Sequence, residues 1–223
     1  MLALLYDIHG NLPALDSVLA EADAEGVDRY LLGGDYASWA PWPTETLERL
    51  RSLPNATWIR GNGERWLREP PLDRPDVLEA LRAADPGVGS DESWLYSLQA
   101  GVELDGVLYV HGSPLSDVES FAPEPEEGEE RMLLDVRDRT VVFGHSHQQF
   151  RRPGPNGTGL LNPGSVGMPL DGDVRGAWAI RRDDGDFEFR RTEFDVERVA
   201  AAWRALPGPW SEVAAERIER GSD

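Results

Sequence analysis

Four histidines, each of which follows closely on a short apolar stretch, are the residues of this sequence best suited to chemistry. They are His9, His111, His145 and His147. A single histidine is more often structural than metal-binding. However, the carboxyl ends of the strands of an open α/β sheet meet at one edge, where such folds build their binding sites. If each apolar stretch is a strand, the four histidines indicate one shared site.

The spacing of the neighbouring residues also favours metal binding. Asp7 and His9 are two residues apart, and so are His145 and His147. In an extended segment, side chains two residues apart lie on the same face. Carboxylates and imidazoles without thiolates suit manganese, iron, zinc, cobalt or nickel. Asp35 follows the second predicted strand and could bridge two ions roughly 3.5–4 Å apart. The alternative role for Asp7 and Asp35 is to cap the helices that follow them.

The stretch RGNGERW, residues 60–66, ends a third predicted strand. Gly-Asn-Gly favours a turn, because glycine and asparagine tolerate positive φ. Asn62 is therefore either a turn residue or, through its side-chain carbonyl oxygen, a metal ligand. The two interpretations are compatible, because flanking glycines let the backbone present Asn62 inward. Glu64 has the simpler interpretation of a residue in the first turn of a helix.

The predicted elements alternate in the way that is typical of parallel βαβ units. Strands are predicted over residues 2–6, 28–35 and 56–62, with helices over 12–26 and 43–53 between them. Further strands are predicted over 140–147 and 159–167, hairpins over 102–114 and 176–191, and helices over 74–85, 91–100, 124–138, 196–206 and 211–221. These elements predict an α/β fold with mixed sheets.

Composition narrows the class of protein. The 223 residues show no linker or repeat, which favours one domain. The formal charge of −19 argues against nucleic acid or an anionic membrane as the main partner. It does not exclude a small phosphorylated substrate, because a bound metal supplies local positive charge. Without cysteine, disulfides and thiol chemistry are excluded. The N-terminal apolar run is too short for a signal peptide or a membrane span, so we expect a cytoplasmic protein.

Five motifs follow one another in the order of a known family. They are DIHGN (7–11), GGD (33–35), RGN (60–62), YVHGSP (109–114) and FGHSH (143–147). The chain thereby resembles the calcineurin-like metallophosphoesterases, whose signature is D-x-H, G-D, G-N-H-[DE], H and G-H-x-H. The LNPGSVG stretch that follows and the compact size look like the small bacterial and archaeal branch of phosphodiesterases and predicted phosphatases.

This resemblance implies a four-layer α-β-β-α sandwich with two mixed sheets and a site for two divalent metal ions. We expect a single domain, residues 1–223, in which residues 65–100 form a small helical insert that can cap the site. The resemblance assigns the first metal to Asp7, His9, Asp35 and His147. It assigns the second metal to Asp35, Asn62, His111 and His145. Of these residues, we assign the main catalytic role to Asp35, Asn62 and His111.

Candidate substrate-binding residues lie around the ligands. Arg60 could bind a phosphate oxygen bidentately, or it could be a solvated residue at a strand end. Asn11 could contact phosphate, or it could cap the following helix. Aromatic residues near the site could stack on an aryl group or a base, or they could pack their loops onto the core. They are Trp39, Trp42, Trp66, Trp94 and Tyr96.

One motif departs from the family pattern. G-N-H-[DE] occurs here as Gly61-Asn62-Gly63-Glu64. The missing histidine usually protonates the leaving oxygen, and a positioned general acid contributes about 10²–10⁴-fold. We therefore expect a phosphoesterase in which a metal-bridging hydroxide attacks a small phosphodiester or an activated phosphomonoester. The alternatives are a phosphoprotein or dinucleoside-polyphosphate phosphatase and, because a retromer subunit uses this fold as a binding module, a non-enzymatic scaffold.

Overall fold

The computed structural model describes residues 1–37, 40–84, 88, 91–208 and 210–223, which form two sheets with helices packed on them. The strands are β1 Leu2–Leu5, β2 Arg29–Leu32, β3 Ala56–Trp58, β4 Gly101–Leu104, β5 Val107–Val110, β6 Thr140–Val142, β7 Gln149–Pro153, β8 Gly159–Pro163, β9 Gly176–Arg181 and β10 Phe187–Thr192. The α-helices are α1 Leu12–Ala24, α2 Pro43–Arg51, α3 Asn62–Trp66, α4 Pro75–Ala84, α5 Glu92–Ser97, α6 Val196–Arg204 and α7 Trp210–Arg220.

Each sheet is mixed and contains a parallel part that carries the predicted site residues. The first sheet has the strand order β10-β9-β1-β2-β3, in which β1, β2 and β3 are parallel. The second sheet has the order β4-β5-β6-β8-β7, in which β5, β6 and β8 are parallel. Helices α1 and α2 connect the parallel strands of the first sheet, as the alternating pattern predicts. The predicted ligands follow the carboxyl ends of β1, β2, β3, β5 and β6.

Strand β1 shows why its sequence is apolar throughout. Successive side chains of a strand point to opposite faces of the sheet. Leu2 and Leu4 pack into the core between the two sheets, where Val142 and Leu161 come from the second sheet. Ala3 and Leu5 belong to the core beneath the helices. A strand that is buried on both faces has no position for a polar residue, so polar residues begin only where β1 ends.

The helix caps decide one of the alternatives left open by the sequence. Asn11 is the N-cap of α1, and its Oδ1 accepts a hydrogen bond from the Ala14 N–H at 3.1 Å. Trp42 is the N-cap of α2. Asp7 and Asp35 therefore cap neither helix, and their carboxylates remain available to the site.

Two predictions of local structure differ from the fold. The predicted helix over residues 124–138 is wrong: this segment contains only a short 3-10 helix, Glu129–Leu133. Gly128 precedes it with φ 79° and Leu134 follows it with φ 53°, and left-handed residues cannot continue a right-handed helix. Strand β7 was not predicted, because two arginines and a proline obscure its pattern. It lies at the edge of the second sheet, where Pro153 is tolerated.

Other predictions are confirmed. Asp105 and Gly106 both have positive φ, 51° and 77°, as a type I′ hairpin turn between β4 and β5 requires. The two mixed sheets packed face to face confirm the predicted α/β sandwich. Helices α6 and α7 form a C-terminal hairpin that packs on Met168 beside the site. None of the helices in the described ranges is long and apolar enough to cross a membrane.

Candidate metal centre

Five of the predicted ligands have an unusual backbone conformation. Asp7, His9, Asp35, His145 and His147 have φ values of 51°, 47°, 55°, 66° and 57°. Left-handed φ is uncommon for residues other than glycine and costs of the order of 1–3 kcal/mol each, so it persists only where the surrounding structure enforces it. Such residues concentrate at functional sites. Here the conformation turns the chain sharply at the ends of β1, β2 and β6.

Backbone hydrogen bonds hold these turns against one another. The Asp7 N–H donates to the Gly34 carbonyl at 3.2 Å, and the His9 N–H donates to the Asp35 carbonyl at 2.9 Å. The turn after β1 is thereby fixed to the turn after β2. The His145 N–H donates to Asp7 Oδ2 at 2.9 Å, which joins the second sheet to the first. The ligands from both sheets are thus positioned before any ion binds.

Asp7, His9 and His147 form what we call the first cluster, and all three are buried. His147 Nε2 lies 3.0 Å from His9 Nε2 and 3.5 Å from Asp7 Oδ1. His147 Nδ1 lies 2.7 Å from the Met168 carbonyl oxygen, which only accepts, so Nδ1 carries the hydrogen. In the neutral ring, His147 Nε2 therefore directs a lone pair into the cluster.

Asn62, His111 and His145 form what we call the second cluster. Asn62 Oδ1 lies 3.0 Å from His111 Nε2 and 2.8 Å from His145 Nδ1. His111 Nδ1 donates to the Gly33 carbonyl at 2.8 Å, so its Nε2 also carries a lone pair in the neutral ring. If the Asn62 amide were turned by 180°, its NH2 group would donate to both imidazoles and, at 3.2 Å, to the Asp117 carbonyl. Either a cation or this amide group can therefore satisfy the second cluster.

Asp35 lies between the two clusters. Its Oδ2 is 3.9 Å from His9 Nε2 and its Oδ1 is 3.6 Å from His111 Nε2. Asp35 Oδ1 also accepts a hydrogen bond from the Gly63 N–H at 2.7 Å. One buried carboxylate thus faces a histidine of each cluster, as a bridging ligand must.

The donor atoms fit divalent metal ions. Asp7 Oδ1 is buried, and no group in the described part of the chain donates a hydrogen bond to it. Its neighbours His147 Nε2 and His111 Nε2 lie 3.5 Å and 3.8 Å away, which is too far for a good hydrogen bond. Nitrogen and oxygen ligands about 2.0–2.2 Å from one ion are themselves roughly 3–4 Å apart. These separations match ligands that share a cation.

Burial and neighbouring charges shift the pKa values of Asp35 and His111. Burial, with the carboxylates of Glu64 and Asp7 nearby, raises the pKa of Asp35 to about 7. Burial lowers the pKa of His111, but Asp35 and Asp7 more than offset it and raise this pKa to about 9. The carboxylates of Asp35 and Asp7 therefore stabilise positive charge at the centre of the site.

The pKa values of the other three imidazoles depend on burial and on the charged groups beside them. Burial, together with repulsion from His147, lowers the pKa of His9 to about 3. Burial and the neighbouring His111 lower the pKa of His145 to about 4. His147 is buried too, but its contact with Asp7 raises its pKa. For Asp7, burial is outweighed by the surrounding histidines, which lower its pKa. Neutral imidazoles and ionised carboxylates are the forms that bind metals.

Glu64 is the residue whose role the sequence did not predict. It is buried, with 1% of its surface exposed, and its Oε2 accepts from the N–H groups of Asp35 at 2.9 Å and Gly61 at 2.8 Å. Its Oε1 accepts from the Tyr36 N–H at 2.9 Å. Glu64 thus fixes the backbone of Asp35, which lies between the two clusters, instead of only beginning α3. In the sequence, the position of Glu64 two residues after Asn62 was the feature that could have indicated a role at the site.

The two residues predicted to contact phosphate, Asn11 and Arg60, make hydrogen bonds within the chain. Both polar ends of the Asn11 amide are used within the chain: Oδ1 caps α1, and Nδ2 donates to the Gly167 carbonyl at 2.8 Å. The Arg60 guanidinium donates to the Tyr96 carbonyl at 2.7 Å and stacks on the Tyr96 ring at 5.0 Å. Their contact with phosphate stays a prediction, and these hydrogen bonds give each residue a structural role.

The candidate aromatic residues differ in whether they lie beside the clusters or pack elsewhere. Trp66 lines a cavity beside the clusters. Trp94 instead packs edge-to-face against Trp58, with the ring centroids 5.0 Å apart, and Trp42 packs against the C-terminal hairpin. Trp39 lies outside the described residues. The segment 65–100 thus contributes Trp66 to the cavity, and its role as an insert or cap stays a prediction.

Comparison with known proteins places this geometry in a family. A model of the calcineurin-like phosphoesterase superfamily domain matches residues 1–184, which include both clusters and Asp35. The chain belongs to this superfamily. The resemblance found in the five motifs is therefore confirmed. Because calcineurin-like phosphoesterases use divalent metal ions, two groups are candidate metal sites of that kind: the first cluster, and Asp7 and Asp35 with His111 of the second cluster.

Relatives of similar length share the fold. An uncharacterized protein of Methanocaldococcus jannaschii is 27% identical over 229 residues, covering 89% of this chain and 90% of that protein. A metallophosphoesterase from Sphaerobacter thermophilus is 25% identical, with a TM-score of 0.78 over 99% of both chains. A hypothetical protein from Pyrococcus horikoshii OT3 is 20% identical, with a TM-score of 0.83 over 100% of both chains, and shows the fold alone. These relatives come from bacteria and archaea, as the motifs indicated.

Proposed function

We propose that the protein is a two-metal phosphoesterase that hydrolyses a small phosphodiester or an activated phosphomonoester. The observation that carries the proposal is the position of Asp35, one buried carboxylate that faces a histidine of each cluster. When bound, two divalent ions would activate water and stabilise the negative charge of an in-line displacement at phosphorus. Asp7, His9, Asp35 and His147 would hold one ion. Asp35, Asn62, His111 and His145 would hold the other.

The chain's own groups keep these ligands in their reactive form. The Met168 and Gly33 carbonyls fix which nitrogen of His147 and His111 carries the hydrogen. Glu64 and the Gly63 N–H fix the backbone and the carboxylate of Asp35. Such supporting groups typically change metal affinity or activity 10–100-fold when they are removed. The site is therefore organised for metal binding well beyond its direct ligands.

The substrate preference follows from a missing group. The chain has four histidines, and all of them lie in the two clusters. None is left to protonate the leaving oxygen, and Gly63 supplies only its backbone N–H. Leaving groups that depart without protonation, such as nitrophenolate, should therefore react best. This supports esters with good leaving groups, whether diesters or monoesters, over alkyl esters.

Metal loading and a substrate panel test the proposal. The purified chain is loaded separately with manganese, iron, zinc, cobalt or nickel, and its metal content is measured. We expect two ions per chain and hydrolysis of bis(p-nitrophenyl) phosphate or p-nitrophenyl phosphate, with little hydrolysis of an alkyl phosphate. Failure to cleave both nitrophenyl esters with every metal would contradict the proposal. Far less than one ion per chain would instead favour a non-enzymatic scaffold.

A further inference from the structure

Both metal clusters open into one cavity of about 250 Å³. Its polar end is formed by His9, Asp35, Asn62, His145 and His147. Pockets that hold drug-sized ligands have volumes of roughly 300–1,000 Å³, so this cavity suits a smaller ligand. With a phosphate group at the polar end, the remaining space admits one modest group attached to it.

The far wall of the cavity comes from the C-terminal hairpin of α6 and α7. Trp203 lies on α6, Leu206 lies in the connection, and Ala214 lies on α7. All three side chains are apolar or aromatic, and they lie beyond residues 1–184, which match the family model. The wall thus comes from a part of the chain that follows the segment matched by the family model.

The hairpin is fixed relative to the first cluster. Trp203, Ala214 and Ile218 share an apolar cluster with Met168. The carbonyl oxygen of Met168 accepts the hydrogen bond from His147 Nδ1 at 2.7 Å. Met168 therefore connects the packing of the wall to the position of His147, so the wall has a fixed position relative to the first cluster.

The wall is suited to a flat aromatic group. Trp66, Trp203 and Trp210 all line the cavity, and aromatic side chains pair favourably with other aromatic rings. The buried indole N–H of Trp203 has no hydrogen-bond acceptor among the residues that the structure describes. The wall therefore presents aromatic surface to the cavity.

The charges at the cavity favour a group without charge. Arg217 lines the cavity, but its guanidinium pairs with Asp223 Oδ1 at 2.5 Å and stacks on the Trp210 ring at 5.3 Å. Arg74 also lines the cavity; it is exposed and has a partner of its own. Because the charge of Arg217 is paired within the chain, this residue does not require a second anionic group on the substrate.

We propose that the C-terminal hairpin selects substrates in which an uncharged aromatic ester group, bound against Trp203, Leu206 and Ala214, is attached to the phosphate at the metal clusters. The proposal rests on the proposed function, because the phosphate must bind the metals. It adds the class of substrate, an aryl phosphate ester, and the residues that recognise its aryl group.

Three phosphonates test the wall separately from the chemistry of hydrolysis. Methylphosphonate, cyclohexylphosphonate and phenylphosphonate share the metal-binding group and differ only in the group that would enter the cavity. Their dissociation constants are measured by calorimetry with the metal-loaded protein. Because burial of apolar area strengthens binding, we expect phenylphosphonate to bind roughly 10–100-fold more tightly than methylphosphonate. Cyclohexylphosphonate should lie between them, because it is apolar but not flat.

Two variants locate the preference. Ala214→Leu fills the cavity from α7, and Leu206→Ala removes part of the wall at a half-buried position. Each should reduce the phenyl-to-methyl ratio to about threefold or less, because the ratio compares the two ligands on the same variant. Val213→Leu is the matched control, because Val213 lies on α7 but is 43% exposed and does not line the cavity. It should keep the wild-type ratio.

The outcomes separate the two proposals. If methylphosphonate binds and the ratio in the wild-type protein is near one, the aromatic selection is overturned and the metal-dependent phosphoesterase stands. If cyclohexylphosphonate binds as tightly as phenylphosphonate, the preference for a flat ring is overturned. If none of the three binds, the proposed function itself fails.

Discussion

The two metal clusters use similar residues, but they balance charge differently. The first cluster contains its own carboxylate, Asp7, whose buried Oδ1 receives no hydrogen bond from the described residues. The second cluster has the neutral amide of Asn62 in the corresponding place. In the ligand assignment proposed above, the first ion would have two carboxylates, Asp7 and Asp35, and the second ion would have only Asp35.

This difference determines what each cluster does without metal. Turning the Asn62 amide supplies hydrogen bonds to His111 and His145, so the second cluster can be satisfied by the protein alone. The first cluster has no group that can turn in this way. Its buried charge requires a proton on an imidazole or a cation. We therefore expect the first cluster to bind its ion more tightly and the second to exchange ions more readily.

Replacing the shared ligand should remove both sites together. Asp35→Asn keeps the size of the side chain but removes the charge that both ions need. Because two-metal stabilisation contributes several kcal/mol, we expect kcat/KM for bis(p-nitrophenyl) phosphate to fall by about 10³-fold or more. Metal content should fall with it. Asp16→Asn, at an exposed site on α1, is the control and should retain both. Near-normal activity of the Asp35 variant would refute the bridging role.

Replacing one ligand of each cluster should separate the two affinities. One additional carboxylate near an ion favours its binding by a few kcal/mol, so we expect the first cluster to bind about 100-fold more tightly. Asn62→Ala should keep one tightly bound ion per chain, whereas Asp7→Asn should lose the tight ion. Stepwise removal by a chelator, followed by elemental analysis, measures this. If both variants release metal at the same chelator concentration, the two clusters are equivalent and the comparison fails.

The supporting residue Glu64 gives a smaller effect that reaches both clusters through Asp35. The Glu64 carboxylate accepts hydrogen bonds from backbone N–H groups. In Glu64→Gln, the amide NH2 group cannot accept a hydrogen bond from the N–H group that it would face. We expect metal affinity to fall about 10–100-fold, and excess metal should restore most of the activity. Glu92→Gln, which alters an exposed partner of Arg68, is the control. Activity that stays low at saturating metal would show that Glu64 acts on more than metal binding.

The sequence predicted the residues that meet at the candidate site better than the groups that hold them in place. Asp7, His9 and Asp35 were identifiable because strand ends and short motifs mark them directly in the chain. Glu64 was not, because its partners are backbone N–H groups of a neighbouring loop, which carry no side-chain signature. The C-terminal wall was missed for a related reason: the periodicity of α6 and α7 predicts helices but not the surface they cover. Contacts between distant segments arise only in the folded chain.

The smallest expected effect concerns the residue beside Asn62. Gly63→His restores the imidazole of the family motif next to the second cluster, where no histidine remains to act as an acid. If the new imidazole protonates the leaving oxygen, hydrolysis of an alkyl phosphate should rise about tenfold, while that of p-nitrophenyl phosphate should hardly change. Gly63→Ala is the matched control, because it adds a side chain without an imidazole and tests whether the Gly63 N–H still holds Asp35 Oδ1. Equal rates for the two variants across a pH series would show that the missing acid does not set the leaving-group preference, and the cause would then lie in the second cluster itself.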